Sequence, residues 1–266
     1  GAALGTTLSQ GCSVVISLVF IAKKNSGIAV KKNDLSPVRP AMGQILRVGV
    51  PVALQDGFIQ ISFLLITVIA NSRGLTDAAA VGIVEKIISF LFLVPSSMLS
   101  TVSSLGAQNF GAGKPQRAKR TLAYALAISL CFGLCIALMV QFFAEPIVGL
   151  FTDVSRTDGQ DVIRLGGQYI RGYVWDCVFA GIHFSFSGYF CACGKSMLSF
   201  LHNVISIVLV RVPGAYLTSM LFPTTLLPMG LATAAGSLVS VLVCVIAYWM
   251  ITHPKSGAQR GSYAGR

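Results

Sequence analysis

The sequence predicts an all-α integral membrane protein, and three observations carry that prediction. The 266 residues are 54% hydrophobic and only 11% charged, whereas soluble domains carry about a quarter charged residues. Mean hydropathy is +0.76. So few polar side chains cannot cover a surface facing water, and lipid is the expected solvent for much of the chain. Seven apolar segments, roughly 2–22, 48–70, 78–104, 117–143, 163–190, 197–221 and 228–251, each supply the about 20 helical residues that a bilayer requires. Their length and lack of alternation argue against membrane strands. The net charge of +11 would fit a nucleic-acid binder. The basic residues stand between apolar runs, however, as in cytoplasmic membrane loops, so the expected partner is the bilayer and not nucleic acid.

Gly1 opens directly onto the first segment without a charged leader region, and the chain is expected to be a fragment whose N-terminal portion lies outside it. The longest polar connection follows at 23–47, with Lys23-Lys24, Lys31-Lys32, Asn33-Asp34, Pro37 and Pro40; it reads as a linker between two bundles. Later breaks carry turn chemistry at Gly74, Gly111, Gly113, Pro146, Gly159, Gly194, Pro223 and Pro228. In the third segment Pro95 is the expected kink point. The stretch SSLGAQNFGAGKPQRAKR, residues 103–120, sets a helix end beside a helix start. Gly111 can take the left-handed conformation that closes a helix, and Pro115 suits the first position of the next. A phosphate-binding loop is not expected there, because its glycine and Lys-Ser/Thr spacing is absent. The seven cysteines show no zinc spacing and read as small apolar fillers. The Gly- and Arg-bearing tail, 252–266, is expected to be disordered.

Orientation follows from lysine and arginine. One set of connections holds Lys23, Lys24, Lys31, Lys32, Arg39 and Arg47, then Lys114, Arg117, Lys119 and Arg120, then Lys195, then Lys255, Arg260 and Arg266. The alternate set holds Arg73, Arg156 and Arg164, with Arg171 further in, among Asp77, Glu145, Asp153, Asp158 and Asp161. Positive residues stay cytoplasmic, so the first span is expected to run from outside to inside.

Ionisable groups within spans are costly and face a bundle interior or a water-filled cavity. In the second span Asp56, Gln60, Phe63 and Thr67 share a helical stripe; in the third, Glu85, Ser89, Phe92, Ser96 and Ser103 do. The fifth carries Tyr169, Tyr173, Asp176, Ala180, His183 and Ser187, and the sixth His202, Ser206 and Arg211. A rise of about 1.5 Å per residue places Asp56 and Asp176 both roughly 21–22 Å deep, near the midplane. Two carboxylates at one depth can share a proton or a cation, because an arriving positive charge relieves their repulsion. They are the candidate coupling-ion site, with Gln60, Thr67, Tyr173, His183 and Ser187 as candidate cavity residues. Glu85 and Arg211 fall at a similar shallower depth, about 12–15 Å by the same rise, and are the candidate structural ion pair. His183 and His202 read as hydrogen-bonded polar residues, with a proton-relay role for His183 as the sharper alternative.

With the helices placed, a family resemblance comes into view. GVPVALQDGFIQIS opens the second span, and AAAVGIVEKIISFLFLVPSSMLSTVSSLGAQNFGAGKPQRAKR covers the third and its turn. VGLFT with acidic residues joins the fourth and fifth spans, and RVPGAYL lies in the sixth. This succession resembles the C-terminal half of the multidrug and toxic compound extrusion family, with QNFGAG as its most specific element. The resemblance implies twelve helices in two lobes and alternating access between them, driven by a sodium or proton gradient. It implies that 1–24 is the last helix of an N-terminal lobe, 25–46 the interlobe linker and 47–251 the C-terminal lobe. The whole would be a non-enzymatic antiporter of the cell membrane, a bacterial inner membrane, exporting amphipathic or cationic small molecules with no cofactor beyond Na+ or H+. Transport acids of some family members lie on the helices that hold Asp56 and Asp176. The turn after the fifth span often reads Leu-Arg-Gly in the family; here Phe190-Cys191-Ala192-Cys193-Gly194 lacks the arginine. The alternative is a lipid-linked sugar flippase of the same broader fold, which would require more basic cavity residues.

Overall fold

The computed structural model describes residues 2–23, 38–152 and 158–253, and among them only helices and short turns occur. Most of the 25–46 linker and nearly all of the 252–266 tail, with Asp153 and Arg156, lie outside the described residues. The chain divides into two compact units, Gly1–Ile45 and Leu46–Arg266, which are described separately. In the first, α1 spans Ala2–Lys23 and is exposed from Leu4 to Ile21; α2, Arg39–Arg73, begins there and continues into the second.

In the second unit α3 (Leu75–Leu91) and α4 (Leu93–Gly111) form one span broken at Phe92. Pro95 causes the break. It has no N–H for the carbonyl of Leu91 four residues back, and its ring crowds that carbonyl. The freed Leu91 oxygen accepts a hydrogen bond from the Cys177 thiol at 3.5 Å instead. Helix α5 runs Pro115–Gly149, through the end expected at Pro146. Its single non-helical residue is Phe143 (φ −114°, ψ 18°), within one turn before the proline, so Pro146 bends the helix without ending it. Then come α6 (Gly159–Ala192), α7 (Ser196–Ser206), a π-helical turn (Ile207–Arg211), α8 (Val212–Leu221) and α9 (Leu227–Thr252).

Two turns share one construction. Gly113 and Gly194 both sit at φ +69°. Lys114 N–H reaches back to Asn109 O and Lys195 N–H to Phe190 O, each at 2.8 Å. This six-residue closure with a left-handed glycine satisfies helix-end carbonyls. The left-handed residue is Gly113; Gly111, expected in that role, is still helical.

Among the described residues, six helices are long and apolar enough to cross a membrane. The fifth expected span, 163–190, also forms a helix, α6, but its polarity sets it apart. The reason is position: α6 packs against α3, α4, α5, α7 and α9, and 24 of its 34 residues are buried. A helix sheathed by other helices does not have to be lipid-soluble itself. The sheath supplies the apolar exterior, with Leu64, Phe90, Phe142, Leu209, Leu242 and Trp249 all exposed. Contact between α6 and α9 is backbone to backbone. A Cβ on Gly172 would lie 2.6 Å from Leu227 O, and one on Gly230 would lie 2.8 Å from Tyr173 N. Small residues at a crossing are how membrane helices approach closely.

Charge divides between the two ends of this unit. Arg73, Asp77 and the 222–225 loop meet at one end, where Arg171 also pairs with Glu145 at 3.1 Å. Lys114 and Lys195 occupy the turns at the other end, where Ser196 Oγ donates to Arg47 O at 3.0 Å.

Candidate functional site

The stripe on α6 faces inward, as its spacing predicts: Tyr169, Tyr173, Asp176, His183 and Ser187 are all buried. What it faces was not legible in the spacing. The Asp176 carboxylate is fully buried, and its charge partner is Arg211, with Nη1 3.5 Å from Oδ2. The Arg211 Nη2 donates to the Tyr173 hydroxyl at 2.6 Å. The guanidinium also lies over two rings, 5.1 Å from the centroid of Phe63 and 5.8 Å from that of Tyr173, the geometry of a cation–π contact. Gly236 makes room for it: a Cβ there would stand 2.9 Å from Arg211 Cβ.

The expected pair of Glu85 with Arg211 is therefore corrected. Glu85 accepts from the Thr67 hydroxyl at 3.3 Å, and among the described residues the ion pair of Arg211 is with Asp176. Depth alone suggested the Glu85 pairing. Azimuth decides otherwise, because the π-helical turn at 207–211 ends on Arg211 and inserts an extra residue into the helical repeat.

In front of Arg211 lies a cavity of about 330 Å³. Helix α2 contributes Asp56, Gln60 and Phe63; the broken α3–α4 span contributes Ser89, Phe92 and Ser96. The opposite wall is His183 and Phe184 from α6, Asn203 and Ser206 from α7, Arg211, and Ser237 from α9. Each element presents polar groups to the same space, although each is apolar outside.

Of the residues expected at the site, Asp56, Gln60 and His183 line this cavity. Thr67 is engaged with Glu85, and Tyr173 and Asp176 hold the guanidinium of Arg211. Asp56 is exposed in the cavity, whereas Asp176 is not part of its lining. Ser187 serves a histidine: its hydroxyl is 2.8 Å from His202 Nε2. On the other side His202 Nδ1 is 3.2 Å from Ser240 Oγ, which itself donates to His202 O at 3.2 Å. With its proton so committed, Ser240 accepts from Nδ1–H, and Nε2 accepts from Ser187. His202 is thus hydrogen-bonded on both nitrogens. His183 differs, since among the described residues its buried Nδ1 has no hydrogen-bond partner.

Two further cations within the expected spans stand away from the cavity. Arg171 pairs with Glu145 of α5, and Lys86 is exposed outside the lining. Asn203 and Ser237 were missed. The signal for Ser237 was available, because Thr233, Ser237 and Ser240 recur at helical spacing along an otherwise apolar α9 and are all buried.

The MatE family model matches residues 51–217, more than half of the chain and nearly all of the cavity wall. Among curated proteins the chain is similar to the FAD transporter of Shewanella oneidensis, 28% identical over 243 residues, covering 87% of this chain and 52% of that protein. It is also similar to the multidrug export protein MepA of Staphylococcus aureus, 24% identical over 225 residues, covering 85% of this chain and 48% of that protein. The chain thus spans about half the length of the curated relatives it matches. A crystal structure of a MATE protein in complex with MaL6 superposes with a TM-score of 0.81 at 19% identity, over 90% of this chain and 53% of that one. A MOP superfamily transporter from Pyrococcus furiosus, whose binding pocket is described as reversed in polarity, gives 0.80 at 19%, over 92% of this chain and 54% of that one. Those structures carry the fold and the family model carries the kinship: the chain belongs to the multidrug and toxic compound extrusion family of membrane transporters.

Proposed function

We propose that this chain forms the C-terminal lobe, 47–251, of a cation-coupled antiporter that exports amphipathic and cationic small molecules by alternating access. In this reading 1–24 is the last helix of a preceding lobe and 25–46 joins the two. The Lys114 and Lys195 turns face the cytoplasm of a bacterial cell membrane. The observation that carries the proposal is the cavity, which sets an exposed carboxylate, Asp56, among amides, hydroxyls and aromatic rings within an apolar bundle. Similarity to a multidrug export protein supports the same substrate class. A flippase for lipid-linked sugars would require a basic lining, and Arg211 is the single lysine or arginine among the lining residues.

Coupling falls to Asp176 and Asp56. Arg211 holds Asp176 in this structure, so an arriving proton or sodium ion competes with a guanidinium for one carboxylate. Displacing it alters the cavity wall, which gives the ion and the substrate a shared element to act on. The test is efflux of ethidium by the reconstituted full-length transporter under imposed sodium or proton gradients. Asp176→Asn is expected to abolish gradient dependence and Asp56→Asn to weaken it less, both still folded, Asp176→Asn with a lowered Tm because Arg211 loses its ion-pair partner. Unchanged ion dependence in Asp176→Asn would overturn the coupling assignment, and absence of gradient-driven efflux by the unmutated protein would overturn the function.

A further inference from the structure

The end of the unit that carries the Lys114 and Lys195 turns is basic, and its own helices bring no acid to balance it. Lys114, Arg117, Lys119, Arg120 and Lys195 stand there, while the chain holds no Asp or Glu from 86 to 144 or from 177 to 266. At the other end Arg73, Arg164 and Arg171 are each paired with a carboxylate. Among the described residues none of the five cations of the basic end has such a pair. Positive charge gathered in this way draws its counterions from outside the chain.

A second cavity, of about 500 Å³, opens among those cations, between the α4–α5 turn and the ends of α6 and α9. Its cation is Lys119, half-buried near the start of α5, and Thr252, the last residue of α9, supplies a hydroxyl. That hydroxyl donates to Tyr248 O at 2.9 Å, so its remaining capacity is as an acceptor. Phe110, Tyr189 and Ile251 make the wall beside them apolar. Packing fixes this wall: the Phe110 and Tyr189 rings meet edge to face at 5.8 Å, and Tyr189 belongs to a buried cluster with Val102, Leu122 and Phe190. Gly113 of the turn, at φ +69°, adds backbone but no side chain, and the space in front of it is open. The cavity sits where helices end. Trp249, exposed one turn before the end of α9, is the residue type that settles at a membrane–water interface. A cation beside an apolar wall at that level suits a ligand with a charged head and an apolar body, and a soluble anion has no use for the wall.

We propose that this cavity binds the headgroup of an anionic phospholipid, its phosphate on Lys119, a headgroup hydroxyl on Thr252 and the first part of an acyl chain on Phe110 and Ile251. Charge complementarity selects the anion. Helix α5 begins at Pro115, in the lining, and the positive end of its dipole adds to the attraction. A zwitterionic lipid would bring its own cation up against Lys119. A lipid held here ties the α4–α5 turn to the ends of α6 and α9. The proposal is independent of the substrate reading of the central cavity and requires only that the bundle sits in a bilayer.

The test is native mass spectrometry of the purified full-length transporter, titrated in detergent with dioleoylphosphatidylglycerol or dioleoylphosphatidylcholine. The unmutated protein is expected to retain the glycerol lipid in preference to the choline lipid. Lys119→Gln is expected to weaken the glycerol lipid about tenfold, the typical cost of losing a hydrogen bond to a charged group. Arg120→Gln removes the same charge one residue away, outside the lining, and is expected to stay within about twofold of the unmutated protein, since an exposed cation contributes little. Thr252→Val is expected to cost about threefold, as for a neutral hydrogen bond. Ile251→Glu, which sets a carboxylate in the same lining as Lys119, is expected to abolish the preference. Equal losses from Lys119→Gln and Arg120→Gln would show diffuse surface attraction and overturn the site. No preference between the two lipids would overturn it as well. Displacement of the glycerol lipid by an equal concentration of sn-glycerol 3-phosphate would assign the cavity to a soluble phosphate ester and overturn the lipid. If Lys119→Gln does not fold, Ile251→Glu and the preference of the unmutated protein decide.

Discussion

Arg73 and Arg211 are buried to nearly the same degree, with side chains 7% and 8% exposed, yet one serves the end of the unit and the other its interior, and they are used differently. Arg73 is saturated. Its Nε meets Asp77 at 2.5 Å, Nη1 donates to Ser219 O and Phe222 O, and Nη2 donates to Pro223 O and Thr225 O, at 2.9–3.2 Å. Five donors find five acceptors, and the guanidinium clasps the α8–α9 loop to the end of α2. Arg211 makes one hydrogen bond and one longer ion pair, and looks into a cavity. Equal burial therefore says little about role. The count of satisfied donors separates a structural clasp from a group with donors in reserve.

The largest effect that would test this contrast is expected at the clasp. Arg73→Ala removes the partner of Asp77, of three loop carbonyls and of Ser219 O in α8 at once, and removing one partner of a buried pair costs about 3–5 kcal/mol. Thermal unfolding in detergent should show a large drop in Tm; a shift of a degree or less would mean that the loop is held by other contacts, such as the bond from Thr225 to Gln168.

A smaller loss is expected at the cavity. Arg211→Met leaves the fully buried Asp176 without its ion-pair partner, but the guanidinium has fewer other bonds to forfeit, so the lower end of the same range, about 3 kcal/mol, is expected. Adding Asp176→Leu should recover most of that loss, because buried pairs replaced by apolar residues of similar size often break even. No comparable repair is expected from Asp77→Leu in Arg73→Met, where the loop carbonyls remain unserved. Recovery at both sites, or at neither, would erase the distinction between the two arginines.

The two histidines extend the comparison at the smallest scale. His202→Ala strands the hydroxyl of Ser187, and about 1–2 kcal/mol is expected from that and the lost packing. His183→Ala forfeits no observed hydrogen bond and should cost less stability than His202→Ala, while altering ligand binding. A reversed order of Tm values would show that His183 is the better integrated of the two.

Much of this was legible in the sequence, for identifiable reasons. Composition and run length dictate membrane helices, because no other backbone arrangement of such runs satisfies its own hydrogen bonds in lipid. The inward stripe on α6 followed from 3.6-residue spacing, and the segregation of charge from the positions of lysine, arginine and the acids. Local errors came where two residues compete for one job. Gly113 and not Gly111 closes α4, because the six-residue closure from Asn109 to Lys114 requires the left-handed residue next to Lys114. Pro146 bends α5 without ending it, since a long helix packed along α6 continues past one missing hydrogen bond.

The sequence by itself determined that this chain is helical, membrane-borne and kin to a transporter family, because those properties depend on composition, period and local motif. It also determined that the polar stripe of α6, from Tyr169 to Ser187, would be inside, since an ionisable group amid apolar residues has nowhere else to go. It did not determine which of them meet. That Arg211 faces Asp176 and not Glu85, that Asp56 stands in the cavity while Asp176 stands behind its wall, and that Arg73 is saturated while Arg211 is not are outcomes of helix azimuth. Azimuth is set by the break at Phe92, the π-helical turn at 207–211 and the glycine crossing of α6 with α9. Each is a tertiary adjustment of a fraction of a helical turn, which depth and spacing arithmetic cannot resolve but a hydrogen bond can.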